Sequence, residues 1–133
     1  MTINLEDNIK FNLHESDFID YKIEGNDLIF RVAVNYGING LDEDGDTHCI
    51  FDIICRNHEI IDDYGIKEFD IKFSEIACFE PRDDKYLLAL RPDNDHYAHF
   101  IFRATSIEWV PIIEVTGDEL YETDLVEDYQ FRK

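Results

Sequence analysis

The chain has 133 residues, 44% of them hydrophobic, which suits one globular domain with a packed core and does not fit a disordered chain. Thirty-one Asp and Glu against twelve Lys and Arg give a net charge of −19. Such a surface repels nucleic acid and anionic membrane, and no run of Lys or Arg offsets it.

The opening residues Met1 to Glu6 carry no basic start or apolar core, so the expectation is a cytoplasmic protein without a signal peptide. No apolar stretch reaches the ~20 residues that span a bilayer. Ile9, Phe11 and Leu13 offer a short strand. Asp17 to Glu24 alternates, with Ile19, Tyr21 and Ile23 on one face and Asp20, Lys22 and Glu24 on the other. Gly25-Asn26 supplies a tight turn, and Leu28, Phe30, Val32, Val34 and Tyr36 alternate after it, which together predict a β-hairpin.

Tyr36 to Asp46 reads as a loop, rich in Gly and Asp. A nearly continuous apolar run from Thr47 to Cys55 predicts a strand buried on both faces or central in the sheet. Asn57 to Gly65 reads as a polar turn or one short helical turn. Phe69, Ile71 and Phe73 alternate within a long run from Ile66 to Phe79, with a bulge or break at Ser74-Glu75. Turns at 80–85 and 92–95 flank a strand from Tyr86 to Arg91. Strands at Tyr97–Ala104 and Ile107–Val115 follow, and Pro111 places the last at a sheet edge or kinks it. Thr116-Gly117-Asp118-Glu119 matches a capping box, with Tyr121, Leu125 and Tyr129 recurring on one face of a helix. The expected fold is mainly β (α+β): a single domain over residues 1–133, an antiparallel sheet, sandwich or partly open barrel of about six to eight strands with one C-terminal helix.

The search for chemistry returns little. Cys49, Cys55 and Cys78 are an odd number in apolar runs and read as buried free thiols. Counted from Asp42, a calcium loop would need Gly at the sixth position and Glu at the twelfth, where Thr47 and Ile53 stand. His96 and His99, three apart on a strand, point to opposite faces and would not share a metal. His14, His48 and His58 lack ligand spacing. Nucleophile elbows and phosphate-cradling glycine loops are absent, and Cys78 with His99 has no positive support. Arg82, Arg91 and Arg103 are expected to pair with surrounding carboxylates. No catalytic residue, metal or cofactor is assigned.

Leu13-His14-Glu15-Ser16-Asp17-Phe18-Ile19, leading into Gly25-Asn26-Asp27-Leu28, resembles the opening of small bacterial β-rich domains that begin with a Leu-His-Asp-Ser/Ala-like element. Some of these are grouped with immunity proteins of polymorphic toxin systems, and Glu15 stands where they have Asp. The resemblance implies a small, non-enzymatic, cytoplasmic protein.

The expected function is therefore protein binding of the immunity or inhibitor type, directed at a basic partner such as a toxin nuclease. The alternative is a small-ligand or metal-binding β domain. Candidate contacts are Asp42, Glu43, Asp44 and Asp46 in the acidic loop and Asp118, Glu122 and Asp124 in the tail, with Tyr121 and Tyr129 as aromatic anchors.

Overall fold

A computed structural model describes residues 5–41, 46–122 and 124–131. The candidate residues Asp42, Glu43 and Asp44 lie outside the described residues. Eight strands make one antiparallel sheet: β1 (Asp17–Glu24), β2 (Asp27–Asn35), β3 (Thr47–Arg56), β4 (Glu59–Asp62), β5 (Ser74–Arg82), β6 (Lys85–Arg91), β7 (Ala98–Arg103) and β8 (Ser106–Thr116). Their order is β4-β7-β6-β5-β1-β2-β3-β8. Two short helices follow, α1 (Gly117–Glu122) and α2 (Leu125–Asp128). The mainly β expectation holds. The β1–β2 hairpin turns at Gly25, whose φ of +63° suits a residue without Cβ.

The sheet is rolled onto itself. In a flat sheet β2 and β7 would lie four strands, about 19 Å, apart. The rings of Phe30 and Phe100 are instead 5.0 Å apart, and those of Phe30 and Phe102 5.5 Å. The bend falls between β1 and β5, which share only the pairs Asp17–Glu75 and Phe18–Ser74. On either side lie two four-stranded layers whose inner faces bury Phe18, Phe30, Val32, Ile53, Tyr86, Leu88, Phe100 and Phe102. At the far corner the two sheet margins approach: the Thr105 amide donates to the Arg56 carbonyl (2.9 Å). Ile9, Phe11 and Leu13 form no strand. A 3₁₀ turn at Leu5–Asn8 leads Ile9 and Phe11 against the core, and Asn8 bridges the layers. Its carbonyl accepts from Trp109 Nε1 (2.8 Å), and its Nδ2 donates to the Tyr86 hydroxyl (2.7 Å).

Further expectations need correction, among them the turn at 80–85, of which only Asp83 and Asp84 lie outside β5 and β6. In β1 the register shifts between Phe18 and Asp20, so Tyr21 faces the inner rings while Ile19 joins the opposite face with Ala33 and Ile50. Residues 59–62 form an edge strand in which only Ile60 packs on the core while Glu59, Ile61 and Asp62 stay exposed, so it carries no apolar alternation. The Phe69-Ile71-Phe73 alternation belongs to a turn: Phe73 has a φ of +59°, and the Ser74 hydroxyl donates to the Ile71 carbonyl, so β5 begins only at Ser74. The tail forms two short helices, not one. Pro111 does lie on the edge strand β8, next to a register shift opposite Ile50 and Phe51.

Candidate functional site

The outer face of β1-β2-β3 carries Ile19, Ala33 and Ile50, and an exposed apolar patch of that kind must be covered. The C-terminal segment covers it with Leu120 and Val126, with Leu125 and Tyr129 packed alongside. Several polar ties fix the cover. The Thr116 hydroxyl accepts from the Glu119 amide and the Glu119 carboxylate from the Thr116 amide, both at 3.1 Å, which is the expected capping box. Asp46 completes the helix start: its carbonyl and its Oδ1 both accept from the Gly117 amide, at 2.8 and 3.2 Å. Further along, Arg31 forms a two-pronged pair with Asp52, its cross-strand neighbour, at 2.7 and 2.9 Å. It also donates to the Tyr129 carbonyl (3.0 Å) and lies 4.2 Å from the centre of the Phe131 ring.

Beneath α1 sits a group of titratable side chains. The Tyr121 hydroxyl donates to Asp17 Oδ2 at 2.6 Å. Its ring meets His48 edge-on at 5.7 Å and stacks on Phe73 at 5.7 Å. Asp17 is 9% exposed, and burial raises its pKa to about 6, with the Tyr121 bond pulling down and Glu75 pushing up. His48 is 4% exposed, and its Nδ1 has no hydrogen-bond partner among the described residues. Burial lowers its pKa against the pull of Asp46.

Above this group, between α1, α2 and the turn at 70–73, opens a cleft of about 390 Å³. Its floor is Phe73, Leu120, Tyr121 and Val126; Asp70, Asp124 and Glu127 supply carboxylates, and Lys72 is the one cation among the described lining residues. An apolar floor beneath carboxylates can take a cationic side chain and bury its aliphatic stem. A second cleft, about 540 Å³, lies beside the β8 edge and is lined mainly by Phe11, Tyr36, Cys49, Phe51 and Ile112.

The structure thus joins one end of the acidic loop to the tail, through Asp46 and Gly117. Of the tail candidates, Asp124 and Tyr121 line the cleft, while Asp118 and Glu122 are exposed on α1. The two aromatic candidates sit differently. Tyr121 is 53% exposed but commits its hydroxyl to Asp17, and Tyr129 packs inward against the patch on β1-β2-β3. Asp70 and Phe73 come to the site unannounced, because nothing in their spacing ties the 70–73 turn to the tail.

Among the described residues no group of three or more His, Cys, Asp and Glu is arranged to hold a metal ion. His96 pairs with Asp93 (2.9 Å) and His99 with Asp62 (3.0 Å). Cys78 and His99 lie level across the sheet with Ala89 between them, about 10 Å apart by strand spacing. All three cysteines are free, Cys78 only half-buried, and burial raises each thiol pKa, away from nucleophilic activation. Arg82 pairs with Glu80, and Arg103 with both Glu59 and Asp84. No helix among the described residues is long and apolar enough to cross a membrane. No family model, curated protein or solved structure matches the chain.

Proposed function

We propose that this is a protein-binding module of the inhibitor or immunity type, acting in the cytoplasm on a basic protein, with the C-terminal cleft as its contact surface. The observation that carries it is the cleft itself: Asp70, Asp124 and Glu127 around an apolar floor, on a molecule of net charge −19. A negative field of this size draws a basic partner into encounter, and the floor then excludes water from the contact. A nuclease suits the chemistry, because a groove built for phosphate is itself positive. The resemblance of Leu13 to Ile19 to immunity-grouped domains points the same way.

The test is affinity capture from a lysate of the source organism, followed by stopped-flow association of the retained protein with wild type and with Asp124→Lys/Glu127→Lys. A basic partner is expected. Its association should slow about tenfold or more between low and physiological salt, and by a similar factor in the charge-reversed variant. A partner that associates at the same rate in both salts and with both proteins rules out the steering role of the cleft.

A further inference from the structure

A second surface feature lies on the other layer, away from the helices. Tyr64 follows β4 and Tyr97 precedes β7, and they are 53% and 56% exposed. Their ring centres are 5.5 Å apart. His99 completes the group, at 5.7 Å from Tyr64 and 6.1 Å from Tyr97, with all three rings tilted by 37–40°. Neither tyrosine hydroxyl has a hydrogen-bond partner among the described residues.

The backbone holds this group in place. The His99 amide donates to the Tyr64 carbonyl (2.9 Å), which ties the turn at 64–69 to β7. Gly65 makes the approach possible. Its φ is +77°, and a Cβ there would stand 2.9 Å from the Tyr97 carbonyl and 3.0 Å from the Ala98 Cβ. The backbone that carries the rings is therefore held before any ligand arrives, and the rings rest on one another, which lowers the ordering cost of binding.

The surrounding charge is negative. Asp62 pairs with His99 Nε2 at 3.0 Å, Asp63 directly precedes Tyr64, and Asp93 and Asp95 occupy the turn before Tyr97. Among the described residues the cations of the neighbourhood are Lys67 in the 64–69 turn and Arg91, which lines the recess beside Tyr97 and stands across from Glu75 in the β5–β6 register. A recess of about 300 Å³ over Ala77, Ala89 and Leu90 adjoins Tyr97.

We propose that Tyr64, Tyr97 and His99 form a preset aromatic platform that receives an arginine side chain from a basic partner segment. A guanidinium is planar, stacks on a tyrosine face, and keeps its N–H donors free for carboxylates such as Asp63 and Asp95. A neutral sugar also stacks on paired tyrosines, but it gains nothing from the four aspartates or the net charge. The platform shares no residue with the C-terminal cleft and stands or falls separately from it.

The test is residue-resolved NMR of the full chain, titrated with an alternating Gly-Arg peptide, its Gly-Lys counterpart and a neutral oligosaccharide. The arginine peptide is expected to shift the Tyr64, Tyr97 and His99 ring signals and to bind several-fold more tightly than the lysine peptide. Tyr64→Ala/Tyr97→Ala should weaken it about tenfold, whereas Tyr64→Phe/Tyr97→Phe, which keeps the stacking faces, should retain it. Asp124→Lys should leave these shifts in place. Equal affinity for the two peptides with no loss in the alanine variant overturns the proposal. So do shifts confined to Tyr121 and Asp124, or saturation of the same rings by the oligosaccharide.

Discussion

Asp17 and His48 meet the same tyrosine but respond to pH in opposite directions. The Asp17 pKa is raised to about 6 in the folded chain, from an ordinary value near 4. Through that interval the folded state holds a proton that the unfolded state has released, so stability falls as pH rises. Above it, the buried carboxylate costs on the order of 2–3 kcal/mol. For His48 the lowered pKa means the unfolded chain takes the proton first, so its contribution is lost as pH falls below about 6.5. Asp17→Asn keeps an oxygen for the Tyr121 hydroxyl and removes the charge. Urea midpoints should rise for this variant at pH 7 and converge with wild type toward pH 4. A gain that stays constant over this range would mean that Asp17 is not the titrating group.

At the scale of the element, α1 is only six residues long and has little helical stability of its own. It persists because its first amides are capped and because Leu120 and Tyr121 are anchored. Thr116→Ala removes one half of the capping box and should cost about 1 kcal/mol. Faster amide exchange over 117–128, with β1 to β3 unchanged, is the expected sign; uniform exchange would show the cap to be idle. This helix start was legible in the sequence because a capping box is local, four residues that satisfy one another. The β1–β2 hairpin and the edge position of β8 were legible for the same reason, through Gly25-Asn26 and Pro111. The cleft was not, since Asp70 and Asp124 become neighbours only when the tail crosses the outer face of β1-β2-β3. Ile19 sits on the face opposite to the one its alternation predicts, because one bulged residue reverses a period of two. Tyr64 stands in a polar turn and Tyr97 at the head of a strand thirty-three residues later, so nothing in their spacing announces that the rings cluster.

Over the whole molecule, the arginines are drawn into the acidic surface. Arg31 is paired with Asp52, Arg56 with Asp27 and Glu108, and Arg103 with Glu59 and Asp84. Nineteen negative charges still remain uncompensated. Their mutual repulsion opposes compaction and is screened by salt. Raising NaCl from about 0.02 to about 0.5 M should lift Tm by on the order of 5 °C. A flat or falling Tm would show that carboxylate repulsion is not limiting. The rolled sheet has one more consequence, which concerns synthesis. Two-residue links carry the chain from β3 to β4 and from β7 to β8, each time hopping between opposite margins. During translation β4 leaves the ribosome well before β7, its one hydrogen-bonded neighbour, and must wait with its backbone unmatched. Glu59 and Asp62 give that waiting segment a charge at either end, which discourages stray pairing with other nascent chains until the roll can close.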